Sequence, residues 1–264
     1  MYIHNLDPVL FDFGLIEIRW YSLSYVFGII IGWWYGKKII LGLFKKNVQT
    51  FKIELFDDLI TYLIISIIVG GRIGYVLFYN IEFYLSNPLS VLKIWEGGMS
   101  FHGALLGVII ATHLFAKKNK ISTFFLLDII ACVSPIGIFF GRISNFVNAE
   151  LVGKASSIPW GVVFPNIDMI PRHPSQIYES ILEGLFLFLI LNSIIFFKKD
   201  YKIGTCSSYF LIFYGVFRMV SEYFREPDLH IGYIYKSLSL GSILSFFMII
   251  MGLIVFNYSK KNEA

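Results

Sequence analysis

Long apolar runs recur along this chain, each of a length that crosses a lipid bilayer. About seven stand out: residues 20–40, 58–80, 98–116, 122–140, 176–197, 205–223 and 237–257. A hydrocarbon core about 30 Å thick takes roughly 20 apolar residues in α-helix. Composition agrees, with 56% hydrophobic and only 15% charged residues among 264, where a soluble domain holds about 25% charged. The expected fold class is all-α: a polytopic membrane helix bundle of about seven transmembrane helices, forming a single integral membrane domain over 1–264.

Basic residues between the runs orient the bundle. Thirteen of the 22 lysines and arginines fall in one set of loops, among them Lys37, Lys38, Lys45, Lys46, Lys117, Lys118, Lys198 and Lys199. Loops rich in lysine and arginine stay in the cytoplasm. The N-terminus is then outside, the C-terminus cytoplasmic, and the number of spans odd. Residues 81–97, with Asn87-Pro88, Trp95 and Gly97-Gly98, are expected to form an extracytoplasmic arm lying along the interface. Residues 141–175, with Pro159, Pro165, Pro171 and Pro174, are too polar and proline-rich to span, and suggest a small extracytoplasmic head.

The net charge of +4 follows from loop lysines and argues against a nucleic-acid face. Cys132 and Cys206 have neither metal-type spacing nor the pattern of a disulfide framework. Residues 1–18 carry Asp7, Asp12 and Glu17 and no lysine or arginine, so they lack the basic start of a cleavable signal peptide.

Ionisable residues inside spans are costly and face a cavity or a partner. Here they gather at one depth, in the outer halves of the spans: Tyr25, Arg72, His102, Arg142, Gln176, Tyr178 and Glu179, then Tyr214, Arg218 and Glu222. Arg142, Asn145 and Asn148 lie three apart and share one helical face. A planar cation beside two amides suits a phosphate flanked by hydroxyls; a polar helix end meeting water would look the same. Tyr214 and Glu222 flank Arg218 at i−4 and i+4, which fits a site or a plain Arg218–Glu222 ion pair. Gly70, Gly71 and Gly74 around Arg72 fit close helix packing equally well. His102 is either a packing residue or, given its company at that depth, part of a site. His4 and His113 read as unremarkable, and no His/Cys cluster points to a metal.

Gly141-Arg142-x-x-Asn145-Phe146-x-Asn148-x-Glu150-x-x-Gly153 resembles the signature of bacterial prolipoprotein diacylglyceryl transferases. Arg19-Trp20-Tyr21 with Tyr25, Gly71-Arg72-Ile73-Gly74-Tyr75, Gly98-Met99-Ser100-Phe101-His102-Gly103, His173-Pro174-Ser175-Gln176-x-Tyr178-Glu179 and Tyr214-Gly215-x-x-Arg218 through Asp228 resemble further family blocks, in order. Ser144, Ala104 and the stretch Lys236–Gly241 depart from the usual pattern.

The resemblance implies an enzyme of the bacterial cytoplasmic (inner) membrane. It would move the diacylglyceryl group of phosphatidylglycerol onto the lipobox cysteine thiol of a preprolipoprotein, leaving a thioether and glycerol 1-phosphate. Its partners would be phosphatidylglycerol, the lipobox segment and the bilayer, with no nucleic acid, no cofactor and no metal. Arg142 and Arg218 would be essential. Arg218 would act in catalysis with His102 and Tyr25, and the base would be His102, Tyr25 or a carboxylate. Arg142, Asn145, Asn148, Glu150, Gly153, Tyr214 and Glu222 would bind the lipid. A transporter, a lipid-binding protein or a membrane acyltransferase would also place polar groups in a bundle. A transporter, however, sets its site near the midplane between related halves, and this chain has no evident internal repeat.

Overall fold

A computed structural model of the chain describes residues 2–14, 17–45, 51–197, 201–227, 232–235 and 238–261. Lys46, Lys198, Lys199, Asp228, Lys236 and Ser237 lie outside the described residues. In order, the elements are β1 (Tyr2–Ile3), β2 (Val9–Asp12), β3 (Glu17–Arg19), α1 (Trp20–Lys45), α2 (Glu54–Tyr79), α3 (Ile81–Ser86), α4 (Phe101–Asn119), α5 (Thr123–Val147), β4 (Val162–Val163), β5 (Pro171–Arg172), α6 (Ser175–Glu179), α7 (Leu187–Phe197), α8 (Thr205–Phe224), β6 (Tyr233–Tyr235), β7 (Leu238–Ser239) and α9 (Leu240–Lys261). A π-helical segment, Ser180–Phe186, joins α6 to α7.

Among the described residues, five helices are long and apolar enough to cross a membrane: Trp20–Leu43, Glu54–Tyr79, Thr123–Val147, Ser175–Phe197 and Leu240–Ser259. Helices α4 and α8 have 19 and 20 residues, but histidines and lysines in the first, and Arg218 with Glu222 in the second, dilute their apolar character. Large side chains such as Ile65, Leu77, Phe186, Leu189, Phe247 and Ile254 are exposed. That is costly in water but natural where hydrocarbon is the solvent.

The chain divides into two compact units. Unit one is residues 1–38 with 128–264, and unit two is residues 39–127. In unit two, α2 and α4 cross at glycines. A Cβ on Gly74 would stand 2.6 Å from Gly103 Cα, and one on Gly70 3.1 Å from Gly107 Cα. Only hydrogen at these positions lets the backbones approach, as lipid-embedded helices require when no hydrophobic force drives them together. Ser100 caps α4, its Oγ accepting from Gly103 N–H at 3.3 Å.

Between these helices, residues 81–97 form α3 and two 3₁₀ turns, Pro88–Leu92 and Ile94–Glu96. Arg72 holds this stretch. It donates from Nε to Val91 O at 3.0 Å, from Nη2 to Ser90 O at 2.6 Å and Lys93 O at 3.0 Å, and from Nη1 to Gly98 O at 3.2 Å and to Gly97 O. The Tyr84 ring lies 5.2 Å from its Cζ. The sequence leaves Arg72 open between structure and chemistry. The structure gives it a structural task, because backbone carbonyls engage its fork of donors.

In unit one, α5 runs to Val147, well past the apolar run that ends at residue 140. Arg142 and Asn145 therefore ride on its last turns, and the polar head begins after them. Gly28 meets Gly137, and Gly184 meets Phe139, at contacts of 2.9 and 2.7 Å for an added Cβ. Asn192 Nδ2 donates to Cys132 O at 3.1 Å. Gly215 against Ser245 and Gly252 against Ser208 fix α8 and α9 as antiparallel neighbours.

The head is a three-stranded sheet in the order β1-β4-β5, with β1 parallel to β4. Its core is Val152, Val162 and Phe164, with Phe146 and Ala149 against it. His4, unremarkable in the sequence, is buried here, its ring 5.3 Å from Phe146 and 5.2 Å from Phe164.

Candidate functional site

Within unit one, α5, α6, the π segment and α8 bring a buried set of charges together. Arg142 Nη1 lies 2.8 Å from Glu179 Oε2, and its Nη2 lies 3.1 Å from Glu183 Oε2. Arg218 Nη1 lies 2.9 Å from the same Glu179 Oε2 and 3.7 Å from Glu183 Oε1, while its Nη2 lies 2.5 Å from Glu222 Oε2. Arg225 Nη1 lies 3.6 Å from Glu179 Oε1. The two arginines that the resemblance marks as essential thus share a single carboxylate oxygen.

The side chains of Glu179 and Glu183 are 1% and 0% exposed, against 15% and 9% for Arg142 and Arg218. Ions removed this far from water persist only when paired, and removing one partner of such a pair costs about 3–5 kcal/mol. Tyr214 is fully buried beside this cluster, within electrostatic range of Glu183, Arg142 and Arg218, and stacks on Phe210 with centroids 5.7 Å apart. Gly241, at the start of α9, faces Glu222: a Cβ there would stand 3.0 Å from Glu222 Oε1. A glycine fits this position because the carboxylate of Glu222 occupies the space a side chain would need.

Just past α5 the chain turns sharply, with Ala149 and Leu151 at φ 54° and 55°. Residues other than glycine seldom adopt this left-handed conformation, and it costs of order 1–3 kcal/mol each. The turn aims Glu150 back at the helix end. Its Oε2 accepts from Asn145 Nδ2 at 3.1 Å and its Oε1 from Asn148 Nδ2 at 3.3 Å. Gln176 Nε2 donates to Glu150 O at 2.6 Å, tying the turn to α6. Asn148 Oδ1 is buried with no hydrogen-bond partner among the described residues, so a hydroxyl acceptor stands ready. Gly153 sits where two backbones meet. Its N–H donates to His173 O at 3.1 Å, it bridges Arg225, and a Cβ would run into His173.

Tyr25 is half exposed on α1, its hydroxyl 3.1 Å from that of Tyr21. Tyr21 lies in turn within electrostatic range of Glu150 and Arg142. His102 belongs to unit two, in the first turn of α4, with its ring edge-on to Phe101 at 5.6 Å. On the head, Arg172 Nη2 lies 2.5 Å from Asp168 Oδ2 and its Nη1 3.3 Å from Glu226 Oε2, and Nη1 donates to Gly153 O at 3.1 Å. The Arg172 hydrogen bond holds the Asp168 carboxyl below its usual range.

The structure therefore brings together Arg142, Tyr214, Arg218 and Glu222, with Asn145, Asn148 and Glu150 in the adjoining turn. The sequence reading missed the partners. Glu179 counts there among the polar groups at one depth but has no assigned partner, and Glu183 and Arg225 have no role. The signal was present: two carboxylates four apart at the start of an otherwise apolar run are as costly as the arginines, so each demands a partner.

The family model described as prolipoprotein diacylglyceryl transferase matches residues 8–258. A phosphatidylglycerol–prolipoprotein diacylglyceryl transferase of Ehrlichia canis is 50% identical over 261 residues, 98% of each chain. A protein of the same name from Rickettsia felis is 53% identical over 249 residues, 94% of this chain and 95% of its own. With the match running nearly end to end, this chain belongs to the prolipoprotein diacylglyceryl transferase family.

Proposed function

We propose that this chain transfers the diacylglyceryl group of phosphatidylglycerol to the lipobox cysteine of preprolipoproteins, forming a thioether and releasing glycerol 1-phosphate. The observation that carries the reading is the pair of buried guanidiniums on one carboxylate, in a chain whose near-full-length relatives bear that activity in their names. In our reading the seven spans are α1, α2, α4, α5, α6 through α7, α8 and α9. The N-terminus is outside, the C-terminus is cytoplasmic, and the charged cluster lies toward the outer face of the bacterial inner membrane. The arm at 81–97 and the head after α5 lie on that same side.

The chemistry asks for three things. The substrate supplies the nucleophile, so the enzyme needs no reactive cysteine of its own; Cys132 and Cys206 are buried. The thiol must lose its proton, which is harder in a medium of low dielectric. We assign that proton to the His102 imidazole and keep Tyr25 as a further catalytic residue. As the carbon–oxygen bond breaks, charge grows on the departing phosphate. Arg142 and Arg218 meet it there with N–H groups not spent on their ion pairs, since each guanidinium carries five. Tyr214 and Glu222 support Arg218, and Gly153 keeps the turn beside the head closed. The carboxylate of Glu150 and the bare Oδ1 of Asn148 accept the hydroxyls of the glycerol head.

The test is purified protein with labelled phosphatidylglycerol and a lipobox peptide. The expected product is a peptide heavier by one diacylglyceryl unit on sulfur, with glycerol phosphate released. A thioester and a lysolipid would mean an acyltransferase instead. Arg142→Ala and Arg218→Ala should each lose a hundredfold or more, about 3 kcal/mol or above. Full activity in Arg218→Ala would remove the clamp, and an unchanged rate and pH profile in His102→Gln would remove the proton acceptor.

A further inference from the structure

We propose that Glu179 is a positioning residue for this reaction: its carboxylate spaces the two arginines and its charge tempers their hold on the departing phosphate. The inference rests on the reading of Arg142 and Arg218 as the phosphate clamp. It concerns a residue that does not itself touch the lipid.

Geometry supplies the first half. Glu179 Oε2 receives Arg142 Nη1 at 2.8 Å and Arg218 Nη1 at 2.9 Å, and its Oε1 faces Arg225 at 3.6 Å. The three cations come from α5, from α8 and from the residue just beyond α8. Guanidiniums at this spacing repel one another, and the shared anion offsets that repulsion. Glu179 is 1% exposed and sits at the junction of α6 with the π segment. Held from three sides, the carboxylate stays in place as the phosphate arrives. The phosphate must then use the other N–H groups of each fork.

Charge supplies the second half. Among the described residues the cluster holds Arg142, Arg218 and Arg225 against Glu179, Glu183 and Glu222, and so is neutral overall. A phosphodiester adds one negative charge, and the phosphate monoester that leaves carries up to two. Three bare arginines would bind that product tightly and release it slowly. A fixed carboxylate within one atom's reach of both guanidiniums lowers anion affinity by about tenfold or more. Rapid release and firm spacing thus come from one residue. Among the described residues Glu222 pairs with Arg218, and Glu183 has its nearer contact with Arg142, so neither bridges the two guanidiniums as closely.

The experiment compares wild type, Glu179→Gln and Glu179→Asp in detergent, with phosphatidylglycerol, a lipobox peptide and inorganic phosphate as the competing anion. Glutamine keeps the shape and loses the charge. It should tighten inhibition by phosphate about tenfold, lower KM for the lipid and lower kcat, a combination that damage to the fold would not give. Aspartate keeps the charge but draws it back by one methylene; its phosphate inhibition should stay near wild type while kcat falls. Phosphate inhibition that is unchanged or weaker in Glu179→Gln overturns the proposal, as does an aspartate variant matching the glutamine one. If neither variant can be purified folded, the carboxylate belongs to the fold and the proposal is likewise overturned. An inactive wild type would instead defeat the assigned reaction; calorimetry of phosphate binding to wild type and Glu179→Gln still reads the charge effect alone.

Discussion

Asp128 offers a test of how the bundle is held together away from the charged cluster. It lies in α5, fully buried, and its carboxylate accepts from Gly204 N–H at 2.7 Å, Ser207 N–H at 2.6 Å, the Ser207 hydroxyl at 2.5 Å and the Tyr201 hydroxyl. One helix thus caps the start of another, with an anion at the positive end of α8. In Asp128→Ala four donors lose their acceptor. The two hydroxyls can turn elsewhere; the two backbone N–H groups cannot. At about 1–3 kcal/mol for each orphaned donor, plus the lost interaction with the helix end, the cost comes to about 3–5 kcal/mol. For a chain of this size that is a fall in Tm of roughly 6–20 °C. Asp128→Asn keeps one accepting oxygen but turns an NH₂ toward donors, and should fall about half as far. The assay is tryptophan-fluorescence melting in detergent, with transfer measured well below both midpoints. Arg218 lies roughly 16 Å further along α8, at ~1.5 Å per residue, so the folded variants should transfer at the wild-type rate. An alanine variant melting within about 2 °C of wild type would refute this account. So would activity lost at unchanged Tm, which would move Asp128 into the chemistry.

Arg72→Gln should free the stretch 81–97, because five carbonyl contacts lose their common donor; limited proteolysis should cut there first, and resistance equal to wild type would contradict the anchoring role. Gly103→Ala should disrupt the α2–α4 crossing, since the new methyl would stand 2.7 Å from Gly74 Cα; overpacking of this kind costs about 1–3 kcal/mol, read as a lower melting temperature. Burial, with a lesser push from Lys154, holds the His173 imidazole below its ordinary 6.5. A depressed value means the unfolded chain binds the proton better, so His173's contribution to the head is fully present above pH 6.5 and is lost as pH falls through the native value. Hydrogen exchange around residues 154–173, corrected for intrinsic rate, should quicken between pH 7.5 and 5.5 in wild type and not in His173→Gln.

Hydropathy makes the long helices legible, because hydrocarbon tolerates little else. The same signal misplaces the end of α5: Arg142 and Asn145 break the apolar run but continue the helix, since their polar face is covered by Glu179, Glu183 and Glu150. Charge inside the spans pointed to Arg142 and Arg218 but not to what they meet. Pairing across helices depends on rotation about each axis, and a π segment changes that rotation without a clear mark in Ser-Ile-Leu-Glu-Gly-Leu-Phe. Asp128 was passed over because one carboxylate in an apolar stretch does not reveal that an α-helix begins beside it. His4 and Gly153 show the reverse case. Their surroundings come from β1 joining β4 and from Arg225 crossing Gly153, long-range pairings that no local pattern encodes.

The π-helical stretch from Ser180 to Phe186 carries a consequence for how this chain tolerates change in length. A π turn accommodates one more residue than the α-helix around it. Deleting a single position, such as Leu182, would let an uninterrupted α-helix form, with a gain in backbone regularity. The same deletion would swing Glu183, or Glu179 before it, about a quarter turn away from the guanidiniums, at ~100° per residue. A shortened chain should then be the better helix and the poorer enzyme.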